Sequence, residues 1–526
     1  MADPGCGGRE RLSGGAMSGR WWESRWFFAS ALLLAALPLL WPAVPPLTDL
    51  PGHIGRYRVM LGDEATLLDR YYSFEWRLVG NLGVDLLVAA LGPIIGLEPA
   101  VKLVVIAIPV LTTGALLWLS RELTGRVSPW ALFALPLAYS YPFQFGFVNY
   151  CLAMALALGG WAFWLRLGRL NRIGLRTAIF MPFGLIVWTC HAMGWAMLGL
   201  FVVAGEWAAR AKDRPILRAA FDAAIATVPL APPVLAMLVW SGGGGAAETG
   251  RFIDLVAKLK GLGSVLRDRW IWLDLPALLV VVAAVYAGIR GQAGRIAPQA
   301  AAAAALTALA FLLLPFTLLG SAYADLRLLP FAFAVALAGL NPKEGAPVRA
   351  IALAGLAFFL VRTLATATSF ALYDADWQRE LVALDHLPRG ARVFALVGDS
   401  CDQPWAHSRR THLPAFATAR RAAFANDQWR MEGAPLLSVK VPAGYFAHDP
   451  SQISVVQPCP HDPNLLPRAD ALTDFPHNLF THVWLIDAPI PPHAAAGLTL
   501  VWKQGGSALY AVDRSASRLP AGAAPQ

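Results

Sequence analysis

Apolar runs of roughly twenty residues recur along the first 370 residues of this 526-residue chain. A helix needs about 20 apolar residues to cross the hydrocarbon core of a bilayer, because each residue adds about 1.5 Å. Only 15% of the residues are charged, against about 25% in ordinary soluble domains. The runs therefore predict a polytopic α-helical membrane protein, in which backbone polar groups are satisfied within helices.

Twelve segments are candidates for membrane-spanning helices. They are 26–45, 81–97, 101–120, 129–145, 148–165, 173–188, 191–209, 217–240, 271–289, 297–320, 326–341 and 349–370. Segment 81–97 is short and contains Asp85, Gly92 and Pro93, so we expect that it does not cross. The remaining segments predict about eleven transmembrane helices.

Short basic loops predict the orientation of these helices. The loops at 166–176, 210–218, 290–295 and 341–349 are rich in arginine and lysine, which places them in the cytoplasm. The span count then places the C-terminal region outside. The basic residues of these loops account for the net charge of +9, and they would contact anionic lipid head groups. No nucleic-acid-binding motif is present in the sequence. The composition favours a multi-pass protein of a bacterial inner membrane.

Composition divides the chain into three parts. Residues 1–20 are Gly-rich and basic, which predicts a disordered cytoplasmic N-terminus, and 21–370 form the transmembrane domain. This domain includes two predicted outer loops, 46–80 and 241–270, the second with an interfacial amphipathic helix. Residues 371–526 contain short apolar strand patterns such as "THVWLIDAP", which predict a small, soluble, periplasmic α/β or α+β domain.

Two of the five cysteines, Cys401 and Cys459, lie in this last domain. They would form a disulfide outside the cytoplasm, and two free thiols are the alternative. No cysteine pair has CxxC spacing, so the sequence predicts neither a zinc site nor a haem site.

Ionisable and polar residues gather in the predicted outer turns, where they are candidates for function. They are Asp49, His53, Arg56 and Arg58 after the first span, and Tyr141, Gln144, Asn149, His191, Asp325 and Arg327 in later turns. Each has a structural alternative. Asp49 would cap the next helix, His191 would be a hydrogen-bonded core residue, and Asp325 would pair with Arg327. Asn149 would be a turn residue, and Arg56 and Arg58 would reach toward head groups.

A carboxylate beside cationic groups at a membrane surface suits one kind of chemistry. The carboxylate can accept a proton from an acceptor hydroxyl or amine. The cations can hold a lipid-linked phosphate and stabilise it as a leaving group. Together they would transfer a sugar from a lipid phosphate, with inversion at the anomeric carbon.

The first outer loop begins with "LTDLPGH", and the following segments read "LVAALGPIIGLEPAVKLVVIAIPVLTTGALLWLSRELTGRVSPWALFALPLA". A soluble domain follows the final span. This arrangement resembles the GT-C superfamily of integral-membrane glycosyltransferases over about residues 20–370.

The resemblance implies a polyprenyl-phosphate sugar as donor and a glycan, lipid or protein of the cell envelope as acceptor. It implies that Asp49 is the general base of an inverting transfer. The implied contacts to the lipid phosphate are His53, Arg56, His191 and Arg327. The implied contacts to the sugar are Tyr141, Phe143 and Asn149.

The chain departs from the resemblance at one point. Family members often have an acidic pair in this loop, whereas the adjacent acidic residues here, Asp63 and Glu64, lie further on. Either residue could hold a divalent cation together with Asp49, although no metal motif is evident and we expect none to be needed. Two other functions stay open, which are a membrane transporter and a non-catalytic envelope assembly protein.

Overall fold

The computed structural model describes residues 20–239, 249–250, 254–290, 293–318, 321–402, 404–429, 436–460 and 465–513. Most of the predicted N-terminal segment, most of the glycine-rich start of the loop 241–270, and the tail after 513 lie outside these residues.

The chain is mostly helical. The helices are α1 (Arg25–Leu40), α2 (Leu50–Leu61), α3 (Ala65–Leu68), α4 (Gly83–Ile95), α5 (Leu97–Thr124), α6 (Tyr141–Phe145), α7 (Val148–Arg169), α8 (Ile173–Cys190), α9 (Ala192–Arg210), α10 (Ile216–Ala226), α11 (Pro232–Val239), α12 (Leu255–Gly263), α13 (Ile271–Arg290), α14 (Pro298–Leu313), α15 (Leu329–Ala338), α16 (Val348–Leu381), α17 (Ala415–Arg421) and α18 (Arg468–Asp474). In the bundle, α7 packs against α5, α8 and α9.

Six helices of the described residues are long and apolar enough to cross a membrane. They are Leu97–Thr124, Val148–Arg169, Ile173–Cys190, Ala192–Arg210, Ile271–Arg290 and Val348–His386. A seventh span results if Ile216–Ala226 and Val228–Leu238, bent by 44°, count as one. The other apolar helices, α1, α4, α14 and α15, have only 10 to 17 residues. The predicted count of about eleven spans is therefore not confirmed.

The segment 129–145 is not the transmembrane α-helix that its composition predicted. It forms a 3₁₀ helix, Pro129–Tyr139, and then the short α6. Pro136 and Pro142 lack the amide donors that an uninterrupted α-helix over this segment needs. Every residue of the 3₁₀ helix is buried, so this segment lies inside the bundle.

The C-terminal region contains short strands, as predicted, and they form a mixed sheet. The strands of the whole chain are β1 (Tyr72–Phe74), β2 (Gly294–Ile296), β3 (Leu340–Pro342), β4 (Arg392–Gly398), β5 (Phe424–Ala425), β6 (Leu437–Val439), β7 (Ile453–Val455), β8 (Leu466–Pro467), β9 (His482–Ile486), β10 (Leu498–Gln504) and β11 (Ser507–Val512). The strand order is β10-β11-β9-β4-β7-β8, and β5 also pairs with β4. Strand β4 is parallel to β5, β7 and β9, and its apolar centre is buried, as is typical of parallel strands.

Two features join this region to the rest of the chain. Helix α16 continues past the predicted boundary at 370 to Leu381 without a break. In the first loop, β1 pairs antiparallel with β6, and α2 packs against α17. The first loop therefore folds together with the C-terminal domain. Within that domain, Cys401 and Cys459 form the disulfide that was one of the two alternatives.

The side chain of Arg409 lies fully buried at the junction of the two domains. Its Nη1 donates to the carbonyl oxygens of Pro46, at 2.6 Å, and Gln144, at 2.7 Å. Its Nη2 donates to Oε1 of Gln144, at 2.6 Å, and to Oδ1 of Asp268, at 3.1 Å. One guanidinium thus binds three segments of the membrane domain.

We expect Arg409→Gln to lower the free energy of unfolding by about 3–5 kcal/mol, because Asp268 and two carbonyl groups lose a buried partner. Thermal unfolding in detergent measures this loss. The matched control is Arg389→Gln, which removes an ion pair to Glu64 from a side chain that is 51% exposed. Such surface pairs contribute about 0–1 kcal/mol. Equal losses in the two variants would contradict the junction role of Arg409.

Candidate active site

Asp49 lies immediately before α2 and makes no side-chain capping hydrogen bond to it. Its backbone N–H donates to the carbonyl of Phe145, at 2.9 Å. Gly146, at φ 103°, lies so close that an added Cβ would be 2.9 Å from the Asp49 nitrogen. The capping alternative is therefore wrong, and backbone contacts hold Asp49 in place while its carboxylate faces elsewhere.

His412 of the C-terminal domain points its ring at this carboxylate. Its Nδ1 lies 2.8 Å from the carbonyl oxygen of Asp427, so Nδ1 carries a proton and donates it. Its Nε2 then faces two carboxylates, at 4.0 Å from Oδ1 of Asp49 and 3.5 Å from Oδ1 of Asp449. The ring also packs against Trp429, with centroids 4.4 Å apart. The candidate site is therefore shared between the two domains.

The surroundings of Asp49 make its ionised form costly. Burial raises the pKa of the Asp49 carboxyl well above its usual value, and the negative charge of Asp449 raises it further. The positive charge of Arg327 opposes both effects. A raised pKa brings the titration of this carboxyl closer to neutral pH. A carboxylate of this kind is a stronger base than an ordinary one, which suits a general base.

Arg327 is a buried cation near this carboxyl. Its Nη2 donates to Oγ of Ser321 and to the carbonyl of Ala322, both at 3.0 Å. Its guanidinium lies 3.9 Å from the ring centroid of Phe147. Its Nε has no hydrogen-bond partner, and no ion pair to a carboxylate is found for it within the described part of the chain. Arg327 therefore keeps a donor and its charge for an anion.

The alternative pairing of Asp325 with Arg327 is wrong. Asp325 instead accepts from Nζ of Lys258, at 2.5 Å. Lys258 belongs to α12, in the predicted amphipathic segment, and also donates to the carbonyls of Phe311 and Leu314. The distant lysine satisfies Asp325 and leaves Arg327 without that partner.

Arg56 and Asn149 lie in a buried polar network with Asp85. Nη2 of Arg56 donates to Oδ1 of Asp85, at 2.6 Å, and Nδ2 of Asn149 donates to Oδ2, at 3.0 Å. The backbone N–H of Val84 donates to Oδ1 of Asn149, at 2.6 Å. The network joins α2, α4 and α7, so it fixes the helix that follows Asp49. The predicted substrate contacts of Arg56 and Asn149 stay predictions.

The two predicted histidines differ in their surroundings. His53, in the first turn of α2, packs against Trp429, and its buried Nδ1 has no hydrogen-bond partner among the described residues. Burial and the nearby Arg56 lower the pKa of His53 well below its usual value, which keeps it neutral. Nδ1 of His191 accepts from the backbone N–H of Met193, at 3.1 Å, and so caps α9. His191 therefore has the structural contact that was its alternative.

Aromatic rings surround this region. Tyr141 packs against Phe145, Tyr323 and His407, with ring centroids 5.4 to 6.0 Å apart. Phe145 links these rings to both charged residues, because its carbonyl accepts from the backbone N–H of Asp49 and its ring packs against Phe147, which lies under the guanidinium of Arg327. Phe143 is buried against Tyr139 and does not join this set of rings.

Asp63 and Glu64 lie at the other end of α2, a helix of 12 residues and so about 18 Å long. Neither can share a cation with Asp49 over that distance, which corrects the possibility raised from the sequence. Asp63 pairs with Arg58 at 3.0 Å, and Glu64 pairs with Arg389 at 2.6 Å. No group of three His, Cys, Asp or Glu side chains that could hold a metal occurs among the described residues.

Sequence reasoning missed His412, Asp449 and Trp429, because all three lie in the region predicted only as a soluble domain. The local signal was weak. It consists of polar residues within the segments "THLPAF", "FANDQW" and "AHDPSQ". Their relation to Asp49 appears only in the folded chain.

No protein-family model matches this chain, and no curated protein matches it. Two solved structures are similar to it. ArnT from Cupriavidus metallidurans in the apo state has a TM-score of 0.49 and 14% identity, covering 94% of this chain and 98% of that chain. The same protein bound to undecaprenyl phosphate has a TM-score of 0.45 and 14% identity, with 95% and 99% covered. At these values neither likeness assigns a function.

We expect Asp49→Asn to stabilise the protein at neutral pH. Because folding raises the pKa of Asp49, the stability that its protonated form contributes is complete below the unfolded pKa. It is lost as pH rises through the folded pKa, whereas asparagine does not ionise. The gain in melting temperature of Asp49→Asn over wild type should therefore grow from pH 4 to pH 8, roughly the range of a raised carboxyl pKa.

The control for this experiment is Asp69→Asn, which changes an exposed carboxylate of the same loop. It should leave the pH dependence of the melting temperature as in wild type. A constant difference between Asp49→Asn and wild type across the pH range would contradict the raised pKa.

Proposed function

We propose that this protein is a membrane glycosyltransferase. It moves a sugar from a polyprenyl-phosphate donor to a cell-envelope acceptor on the outer side of the membrane, with inversion at the anomeric carbon. One observation supports this most strongly. A mostly buried carboxylate, Asp49, faces Nε2 of His412 and has a buried arginine without an acidic partner, Arg327, in its electrostatic neighbourhood.

Asp49 acts as the general base in this proposal. It takes the proton of the acceptor hydroxyl as that oxygen forms a bond to the anomeric carbon. The bond from this carbon to the phosphate oxygen breaks, and its electron pair leaves with the lipid phosphate. Attack opposite the leaving group inverts the anomeric carbon. Arg327 stabilises the negative charge on the departing phosphate through its guanidinium N–H groups.

His412 and Asp449 provide the route by which the proton leaves. Nε2 of His412 lies between Asp49 and Asp449, and Nδ1 donates to a carbonyl that fixes the ring. The Asp449 side chain is 26% exposed, against 13% for Asp49, so the route leads toward solvent. Nε2 is the ring atom that faces both carboxylates, so it relays the proton from Asp49 to Asp449.

The aromatic residues supply the apolar surface that a sugar ring and a prenyl chain need. Tyr141, Phe145 and Tyr323 form one set of packed rings. Trp429 packs between His53 and His412 on the side of the C-terminal domain. Flat aromatic faces bind apolar groups while leaving polar hydroxyls to hydrogen-bonding side chains.

The free-energy cost of ionising the buried Asp49 carboxyl favours catalysis over an assembly role. A scaffold gains nothing from a carboxylate whose pKa is raised by burial and by a second carboxylate. Perturbed carboxyl groups of this kind cluster at sites of chemistry.

Asp49→Asn should lower the turnover of polyprenyl-phosphate sugars by about 10²- to 10⁴-fold, because asparagine cannot accept the acceptor proton. Donor consumption by the purified protein, measured over a panel of such sugars, provides the test. Asp63→Asn is the matched control, since Asp63 lies beyond the far end of the same helix and its side chain is 55% exposed. Full activity in Asp49→Asn, or an equal loss in Asp63→Asn, would refute the role of Asp49.

The pH profile of kcat/KM tests the same carboxyl independently. The rate should rise with pH as Asp49 loses its proton, with an apparent pKa above the usual carboxyl range. Asp449→Asn removes one cause of the raised pKa, so it should move this rising limb to lower pH. An unmoved limb in an active Asp449→Asn variant would mean that another group titrates.

A further inference from the structure

A cavity of about 300 Å³ lies at the end of the bundle opposite Asp49. It is lined by the last turns of α7 and α9, the first turn of α8 and the start of α14. Helix α8 begins at this cavity and ends beside His191, which separates the cavity from the candidate active site by about 27 Å for its 18 residues. The cavity is therefore a separate site.

The side chains that line the cavity are strongly basic. They include Arg169, Arg176 and Arg210, against one carboxylate, Glu206. Nη1 of Arg176 lies 2.9 Å from Oε1 of Glu206, and Arg210 also pairs with Glu206. Arg169 pairs with Glu122. Because a single lining carboxylate serves two of the three arginines, the cavity keeps excess positive charge.

Buried contacts hold these groups in place. The Arg176 side chain is only 9% exposed, and its guanidinium lies 4.0 Å from the ring centroid of Trp164. Nε1 of Trp164 donates to Oε1 of Glu206, at 2.6 Å. The glutamate is thus a fixed partner that orients the arginines before any ligand arrives.

A second tryptophan leaves a donor without a partner. Trp161 lines the cavity and is fully buried, yet its indole N–H has no hydrogen-bond partner among the described residues. This nitrogen lies against Gly205, where an added Cβ would be 3.1 Å from it, so the indole forms part of the cavity wall and leaves anion binding to the arginines.

The cavity borders the surface that faces lipid. Ile173, one of its lining residues, is 47% exposed, and the neighbouring Leu170 and Leu175 are 52% and 50% exposed. Exposed apolar side chains at the end of membrane helices meet acyl chains, whereas guanidinium groups there meet phosphates. A lipid can therefore place its head group in the cavity and its chains along this surface.

We infer that this cavity binds the phosphate of an anionic phospholipid. The phosphate oxygens accept from the guanidinium groups that line the cavity, and the acyl chains lie against Leu170, Ile173 and Leu175. The inference is independent of the proposed sugar transfer, because it concerns the other end of the bundle.

The test measures the binding of phosphatidylglycerol to the full chain in neutral detergent by native mass spectrometry. Wild type should bind one equivalent at least about tenfold more tightly than the double variant Arg169→Gln/Arg210→Gln, which loses two cations from the cavity. Arg169→Lys/Arg210→Lys should keep most of the affinity, since it preserves the charges. Phosphatidylcholine with the same acyl chains should bind at least about tenfold more weakly, because it has no net charge.

The matched control is Arg121→Gln/Arg290→Gln, which removes two exposed arginines from the same end of the bundle but outside the cavity. It should bind phosphatidylglycerol as wild type does. An equal loss in this control, or no loss in Arg169→Gln/Arg210→Gln, would overturn the site. Inorganic phosphate that binds as tightly as the lipid, with the same loss in the cavity variant, would overturn the lipid as its ligand.

Discussion

The buried guanidinium of Arg409 is the interaction on which the arrangement of the two domains depends. It donates to the segment before Asp49, to the turn at Gln144 and to Asp268. A buried cation of this kind is stable only with all its partners in place, so these three segments cannot shift independently. His412 lies three residues after Arg409. The contact that joins the domains therefore also sets the distance from His412 to Asp49.

Neither domain contains the candidate active site alone. Asp49, Arg327 and Tyr141 come from the membrane region, and His412 and Asp449 come from the C-terminal domain. The C-terminal domain also contributes to the raised pKa of Asp49 through Asp449. The packing of the two domains therefore determines both the burial of Asp49 and the groups that act on its proton. The basic cavity at the opposite end shares the bundle with this site but none of the groups that act in it.

The sequence predicted what depends on local pattern. Apolar runs indicated the long apolar helices, and short apolar strand patterns indicated the C-terminal sheet. Ionisable residues in the predicted outer turns singled out Asp49 and Arg327 as candidates, whose roles stay predictions. Hydropathy could not show that 129–139 forms a buried 3₁₀ helix followed by the short α6, since apolar content does not distinguish the two kinds of helix. Nor could it find pairs made by tertiary folding. Asp325 forms an ion pair with Lys258, 67 residues away in the sequence. His412 faces Asp49 from another domain.

The most direct test of the central claim is to locate the bound donor. A polyprenyl-phosphate analogue with a photoreactive group beside the phosphate can be cross-linked to the wild-type protein and mapped by mass spectrometry. The shared site predicts cross-links in the peptides that contain Asp49, Arg327 and His412. Cross-links confined to the peptides around Arg169 and Arg210, or to neither end of the bundle, would contradict sugar transfer at the domain junction.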